Sequence, residues 1–69
     1  MKKLGKIING VYFSPRELEC AELLIKGATV SKIAEQLMLS PRTIEFYLNN
    51  MKAKVGCKTK TELIEFLLL

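Results

Sequence analysis

The 69-residue chain has no histidine, which removes an imidazole general base and a histidine-bearing zinc site together. Cysteine occurs only at Cys20 and Cys57, a pair with neither metal-knuckle spacing nor the count of a disulfide framework. No apolar run nears the roughly 20 residues of a membrane span, so no membrane partner is expected. The opening MKKLGKIING is basic, yet it lacks a long apolar stretch and a small-residue cleavage site, and no signal peptide is expected. Strand signal is almost absent. So are a glycine-rich phosphate loop and any nucleophile paired with a base. An enzyme is therefore excluded, and with it any catalytic residue, metal or cofactor. A chain of this length buries only about 60 % of the surface its unfolded form exposes, enough for one small domain and too little for an interdomain cleft.

What is present has a globular balance: 49 % of the residues are hydrophobic and 26 % charged, which argues against disorder. Eleven basic residues against seven acidic leave a net charge of +4, an excess compatible with nucleic acid but weak by itself.

Start and stop signals divide the chain into an all-α, four-helix domain over residues 13–69, behind a loosely ordered lead-in over 1–12. Ser14, Pro15 and Glu17 form an N-cap, a first-turn proline and a capping box, with Phe13 and Leu18 at hydrophobic-staple positions. Leu18, Cys20, Ala21, Leu24 and Ile25 supply the apolar face of this first helix, and Gly27 ends it. Thr29 caps a short second helix whose buried stripe is Val30, Ile33, Ala34 and Leu37. Ser40 and Pro41 repeat the start signal for a third helix over about 41–55, where Ile44, Tyr47, Leu48, Met51 and Val55 make one apolar face before Gly56. Thr59 and Glu62 open a fourth helix that is apolar nearly all round.

A helix, a turn of about three residues and a second helix is helix-turn-helix spacing, in which the second helix enters a major groove. Opposite its apolar stripe the third helix carries Arg42, Glu45, Phe46, Asn49, Asn50 and Ala53. Phe46 is the odd member. It contacts thymine methyl groups if the helix reads bases, with Asn49 on adenine and Glu45 accepting from a cytosine amino group. Otherwise it extends a ragged core. From Ser40 to Lys60 the charges are Arg42, Lys52, Lys54, Lys58 and Lys60 against Glu45 alone, whereas the first helix carries Glu17, Glu19 and Glu22. Positive charge thus gathers on and after the reading helix, as phosphate contact requires. Lysines near a helix end also favour its dipole, which explains Lys52 and Lys54 equally well. Thr29, Ser31 and Lys32 place a hydroxyl, free amides and an ammonium at a helix N-terminus, either as a phosphate clamp or simply as a cap.

The fourth helix has more apolar side chains than so small a core can cover. Thr61, Ile64, Phe66, Leu67 and Leu68 are the candidates for a strip left exposed, and an exposed strip marks an association surface. A dimer through Thr61, Ile64, Leu67 and Leu68 would set two reading helices on adjacent half-sites. If the chain is cut from something longer, its missing part covers Leu67, Leu68 and Leu69 instead. Cys20 reads as a small core hydrophobe. Cys57, in a loop beside Lys58, is either an ordinary loop residue or a thiol activated by the cation.

Ser-Pro-Arg-Glu at 14–17, Lys-Gly at 26–27, Lys-Ile-Ala at 32–34, Ser-Pro-Arg-Thr-Ile at 40–44 and Lys-Val-Gly-Cys at 54–57 stand in one order and spacing. Together they resemble the LuxR-type (GerE-like) DNA-binding domain of bacterial transcription regulators, over about residues 13–69. The resemblance implies a four-helix domain with a central helix-turn-helix that docks on double-stranded DNA as a homodimer, through its fourth helix, in the bacterial cytoplasm on the nucleoid. It implies base contacts from Glu45, Phe46 and Asn49, and phosphate contacts from Thr29, Lys32, Thr43, Asn50 and Lys54, to which the charge pattern adds Arg42. RNA polymerase is a further expected partner. Three positions depart from the pattern: Met38 stands where glycine is common in the turn, Tyr47 where histidine is common, and Glu45 where a basic residue is frequent. Such a domain usually sits behind a receiver or ligand-sensing domain, so the chain is expected to be either a free-standing regulator or an excised output domain. A different class of function is a small dimerising interaction module that uses residues 59–69 and no longer reads DNA. A sigma-factor region-four domain shares the helix-turn-helix and would still read DNA.

Overall fold

In the computed structural model, which describes residues 4–69, a short hairpin precedes four helices. The strands are β1 (Lys6–Ile8) and β2 (Val11–Phe13). The helices are α1 (Pro15–Ile25), α2 (Val30–Leu37), α3 (Pro41–Val55) and α4 (Lys60–Leu68).

The hairpin replaces the loosely ordered lead-in expected for this stretch, whose first three residues lie outside the described residues. Asn9 and Gly10 both adopt positive φ, 49° and 82°. That is the two-residue turn whose twist matches a pair of antiparallel strands. It fixes the register Lys6↔Phe13, Ile7↔Tyr12 and Ile8↔Val11. Phe13 is thereby turned into the core, while Ile7 and Tyr12 share the outer face and stay exposed. The hairpin tip is tied down where the Asn9 side chain donates to the carbonyl of Phe66, 2.9 Å away near the end of α4.

Each helix starts on a hydroxyl cap. The side chains of Ser14, Thr29, Ser40 and Thr59 accept from the backbone N–H of Glu17, Lys32, Thr43 and Glu62 respectively. Reciprocal capping boxes close at Ser14–Glu17 and Thr59–Glu62. Hydrogen bonds from the backbone N–H of Lys58, then from the hydroxyl and N–H of Thr59, hold the Glu62 carboxyl below the usual carboxylate range.

The helix ends also share a device. Ala28 donates to Leu23 and Gly27 to Leu24 past α1; Leu39 donates to Ala34 and Met38 to Glu35 past α2. This paired pattern needs a left-handed residue just beyond the last turn. Gly27 and Gly56 supply it after α1 and α3. After α2 the residue is Met38, at φ 58° and ψ 42°, so a side chain is carried where glycine is unstrained.

One core joins all elements. It is built from Phe13, from Cys20, Ala21 and Leu24 of α1, Ile33 and Ala34 of α2, Ile44, Leu48 and Met51 of α3, and Leu63 and Leu67 of α4. Ile25, expected on the α1 core face, is instead 41 % exposed, and Leu23 takes part from the core margin. No helix among the described residues is long and apolar enough to cross a membrane.

Candidate nucleic-acid interface

The outward face of α3 follows from helical periodicity. With Ile44, Leu48 and Met51 locked inward, Arg42, Glu45, Phe46, Asn49, Asn50 and Ala53 are all exposed. Phe46 is 61 % exposed and does not extend the core; its ring and that of Tyr47 meet edge-on, with centroids 6.0 Å apart. The core thus excludes Phe46 as one of its members and leaves a large aromatic in water on a largely polar face.

The flanks of α3 differ. Toward α2 and α4 lies an open groove of about 360 Å³, lined by Val30, Glu45, Leu48, Asn49, Lys52, Lys60 and Leu63. Glu45 and Asn49 therefore border the groove as well as the outward face. Val30, the first residue of α2, brings that helix's N-terminus to the same place. Thr29 is exposed and its hydroxyl oxygen accepts from the Lys32 amide at 3.2 Å; the Lys32 ammonium lies 3.2 Å from Glu35 in a solvent-facing pair. Such pairs contribute little stability and open readily toward another anion. The opposite flank carries Thr43 and Asn50. The Thr43 hydroxyl shares a 2.9 Å hydrogen bond with Ser40, while Asn50 stays exposed.

Lys54 requires a correction. Expected on a phosphate, its ammonium instead lies 2.6 Å from the carboxylate of Glu17 and donates to the Tyr12 carbonyl at 3.2 Å. It also sits over the Tyr12 and Phe13 rings, 5.6 and 5.9 Å from their centroids. Glu17 is 3 % exposed, and the same oxygen accepts from the Ser14 amide at 2.8 Å. Lys54 thus neutralises a nearly buried carboxylate and joins α3 to the start of α1 and to β2. Moving it to DNA would strand that charge. Lys52 and Lys60, noted in sequence only as part of the basic excess, are the cations that the fold brings beside Glu45 and Asn49.

Leu67 requires a second correction. It packs in the core at 9 % exposure, so it is removed from the dimerisation strip. Thr61 and Leu68 are exposed and Ile64 is half-buried; Leu69 adds to the exposed apolar end. Phe66 is half-buried, its ring 6.5 Å from that of Phe13 in an edge-on arrangement. Burial raises the pKa of the Cys20 thiol, with Glu19 adding to the effect, which suits an inert core residue. The Cys57 thiol is half-buried and points to the Thr59 carbonyl at 3.8 Å.

Residues 11–67 match the family described as bacterial regulatory proteins, luxR family. The chain belongs to the luxR family. Its four helices and helix-turn-helix are that family's fold, and the family is one of DNA-binding regulatory domains, not enzymes. The match begins at Val11, within the hairpin, so β2 is part of the shared domain. Among curated proteins this luxR-family chain is similar to the oxygen regulatory protein NreC of Staphylococcus aureus strains JH9, JH1 and Mu3. Each is 42 % identical over 55 residues, covering 80 % of this chain. The chain spans the equivalent of a quarter of those relatives' length, since the match covers 25 % of each.

Proposed function

We propose that this luxR-family domain is the double-stranded-DNA-binding part of a bacterial transcription regulator and lays the first three turns of α3 in the major groove. The observation that carries this reading is Phe46, held out in water between Glu45 and Asn49 on the exposed face of the second helix-turn-helix helix. On that face Phe46 contacts thymine methyl groups, Asn49 pairs with an adenine edge, and Glu45 accepts from a cytosine amino group. Thr29, Lys32, Arg42, Thr43 and Asn50 fix the helix on the sugar–phosphate backbone. Two copies associate through Thr61, Ile64 and Leu68 so that their reading helices meet adjacent half-sites. The regulator works in the bacterial cytoplasm at the nucleoid, with RNA polymerase as its further partner.

Selection of bound duplexes from a random pool, followed by titration of variants, tests this. Asn49→Ala is expected to relax discrimination at one base pair by about 1–3 kcal/mol, with little change on random duplex. Equal loss on every duplex would show that Asn49 positions the helix and does not read. Failure of the wild-type chain to enrich any sequence would favour an interaction module acting through the exposed Leu68 and Leu69.

A further inference from the structure

Ion pairing leaves the positive charge of the domain unevenly available. Arg16, Lys32 and Lys54 each hold a carboxylate, at 3.2, 3.2 and 2.6 Å. Lys52 and Lys60 hold none among the described residues, and both line the groove that contains Glu45 and Asn49. Glu45, Asn49 and Lys52 stand at i, i+4 and i+7, one row along a single flank of α3. Lys60, at the first turn of α4, faces that row across the groove. Leu48 and Leu63 form an apolar floor at 6 % and 0 % exposure.

A helix with side chains, about 10–12 Å across, fills a major groove about 12 Å wide, so its two flanks meet the two backbones. The flank bearing Lys52 also faces the start of α2, because Val30 lines the same groove. We propose, resting on the DNA-binding reading above, that Lys52 and Lys60 together hold a backbone phosphate of the DNA strand that passes the α2 N-terminus. They do what Lys54 cannot. Thr29 and Lys32 then engage the same strand, while Thr43 and Asn50, on the opposite flank, engage the other. Glu45, at the far end of the row, repels phosphate and is directed to the base edge, where an amino group can satisfy it. The row thus sorts backbone from base by charge sign.

The test is a salt titration of binding to selected and random duplexes, with the wild-type chain, the K52Q/K60Q double variant, the K52R/K60R double variant, and K6Q as a control on the hairpin. Loss of one phosphate contact lowers the slope of log K against log salt by about 0.9. The glutamine pair is expected to show that drop, with equal weakening on both duplexes. The arginine pair and K6Q are expected to keep the wild-type slope. A glutamine pair that remains folded by circular dichroism and keeps the wild-type slope overturns the phosphate seat and leaves DNA reading intact. Absence of wild-type binding to any duplex removes the underlying reading. Weakening confined to the selected duplex makes the lysines base-discriminating and overturns the proposal. So do Lys52 and Lys60 signals that shift with inorganic phosphate while the DNA slope is unchanged by the glutamines, which would mark a small-anion site.

Discussion

Lys54 shows how one residue's role depends on a neighbour far along the chain. Its partner Glu17 is 37 positions away and reads locally as a capping-box acid, a role it also fills. The family resemblance assigned Lys54 to a phosphate, in keeping with the sign of the lysines around the reading helix. Packing assigned it to Glu17, because a carboxylate at 3 % exposure needs a cation. Among the described residues, removing that cation leaves the Glu17 carboxylate with the Ser14 amide alone as its hydrogen-bond partner. Lys54→Met is therefore expected to destabilise the domain by about 2 kcal/mol, reduced from the fully buried case because the lysine side chain is itself 36 % exposed. Urea unfolding checks the figure. In a Glu17→Gln background the same substitution should cost much less, since no buried charge remains to strand. Additive losses would mean that the lysine acts through its stem and ring contacts instead. Charge reversal at Lys54 is consequently a stability experiment and no measure of phosphate binding.

At the scale of elements, the helix limits were legible because caps are local. Ser14, Thr29, Ser40 and Thr59 each act on an amide within the next turn, and glycines close α1 and α3, Gly27 one position beyond the Lys26 cap and Gly56 directly after Val55. The hairpin was not read from the sequence: Asn9-Gly10 between Ile8 and Val11 is its turn signal, but strands of three residues are too short for alternation to stand out. The end of α2 is the strained one. Met38 is 89 % exposed and makes few contacts that would offset a left-handed backbone, which for a non-glycine residue costs about 1–2 kcal/mol. Met38→Gly should relieve that strain, less the extra freedom glycine gives the unfolded chain. The net expectation is a gain of about 0.5–1 kcal/mol, read as a higher thermal midpoint. A lower midpoint would show that the methionine side chain contributes more than its exposure implies. The turn between α2 and α3 would keep its conformation, so DNA affinity should change little.

Across the whole molecule, the unresolved question from sequence was which side of α4 faces in. The run Phe66-Leu67-Leu68-Leu69 has no polar residue to mark a boundary, so periodicity gave no phase. Contact with α1 and α3 sets it: Leu63 and Leu67 go in, while Leu68 and Leu69 stay out at 62 % and 87 % exposure. The association surface proposed here is accordingly Thr61, Ile64 and Leu68. Leu68→Glu is expected to abolish self-association in sedimentation at high concentration and to leave the thermal midpoint nearly unchanged, whereas Leu67→Glu should unfold the monomer. A wild-type chain that sediments as a monomer both alone and on a two-half-site duplex would remove the dimer.

The chain by itself determined where helices begin and end, the helix-turn-helix and the family, because capping, turn chemistry and 3.6-residue periodicity act within a few residues of one another. Only the tertiary structure decided that Phe46 stays in water, that Leu67 turns inward, that Lys54 belongs to Glu17, and that Lys52 and Lys60 line one groove with Glu45. Each of those depends on which surfaces of different helices exclude water from one another, and burial, which sets the free energy of a charge or an apolar ring, is a property of the packed whole.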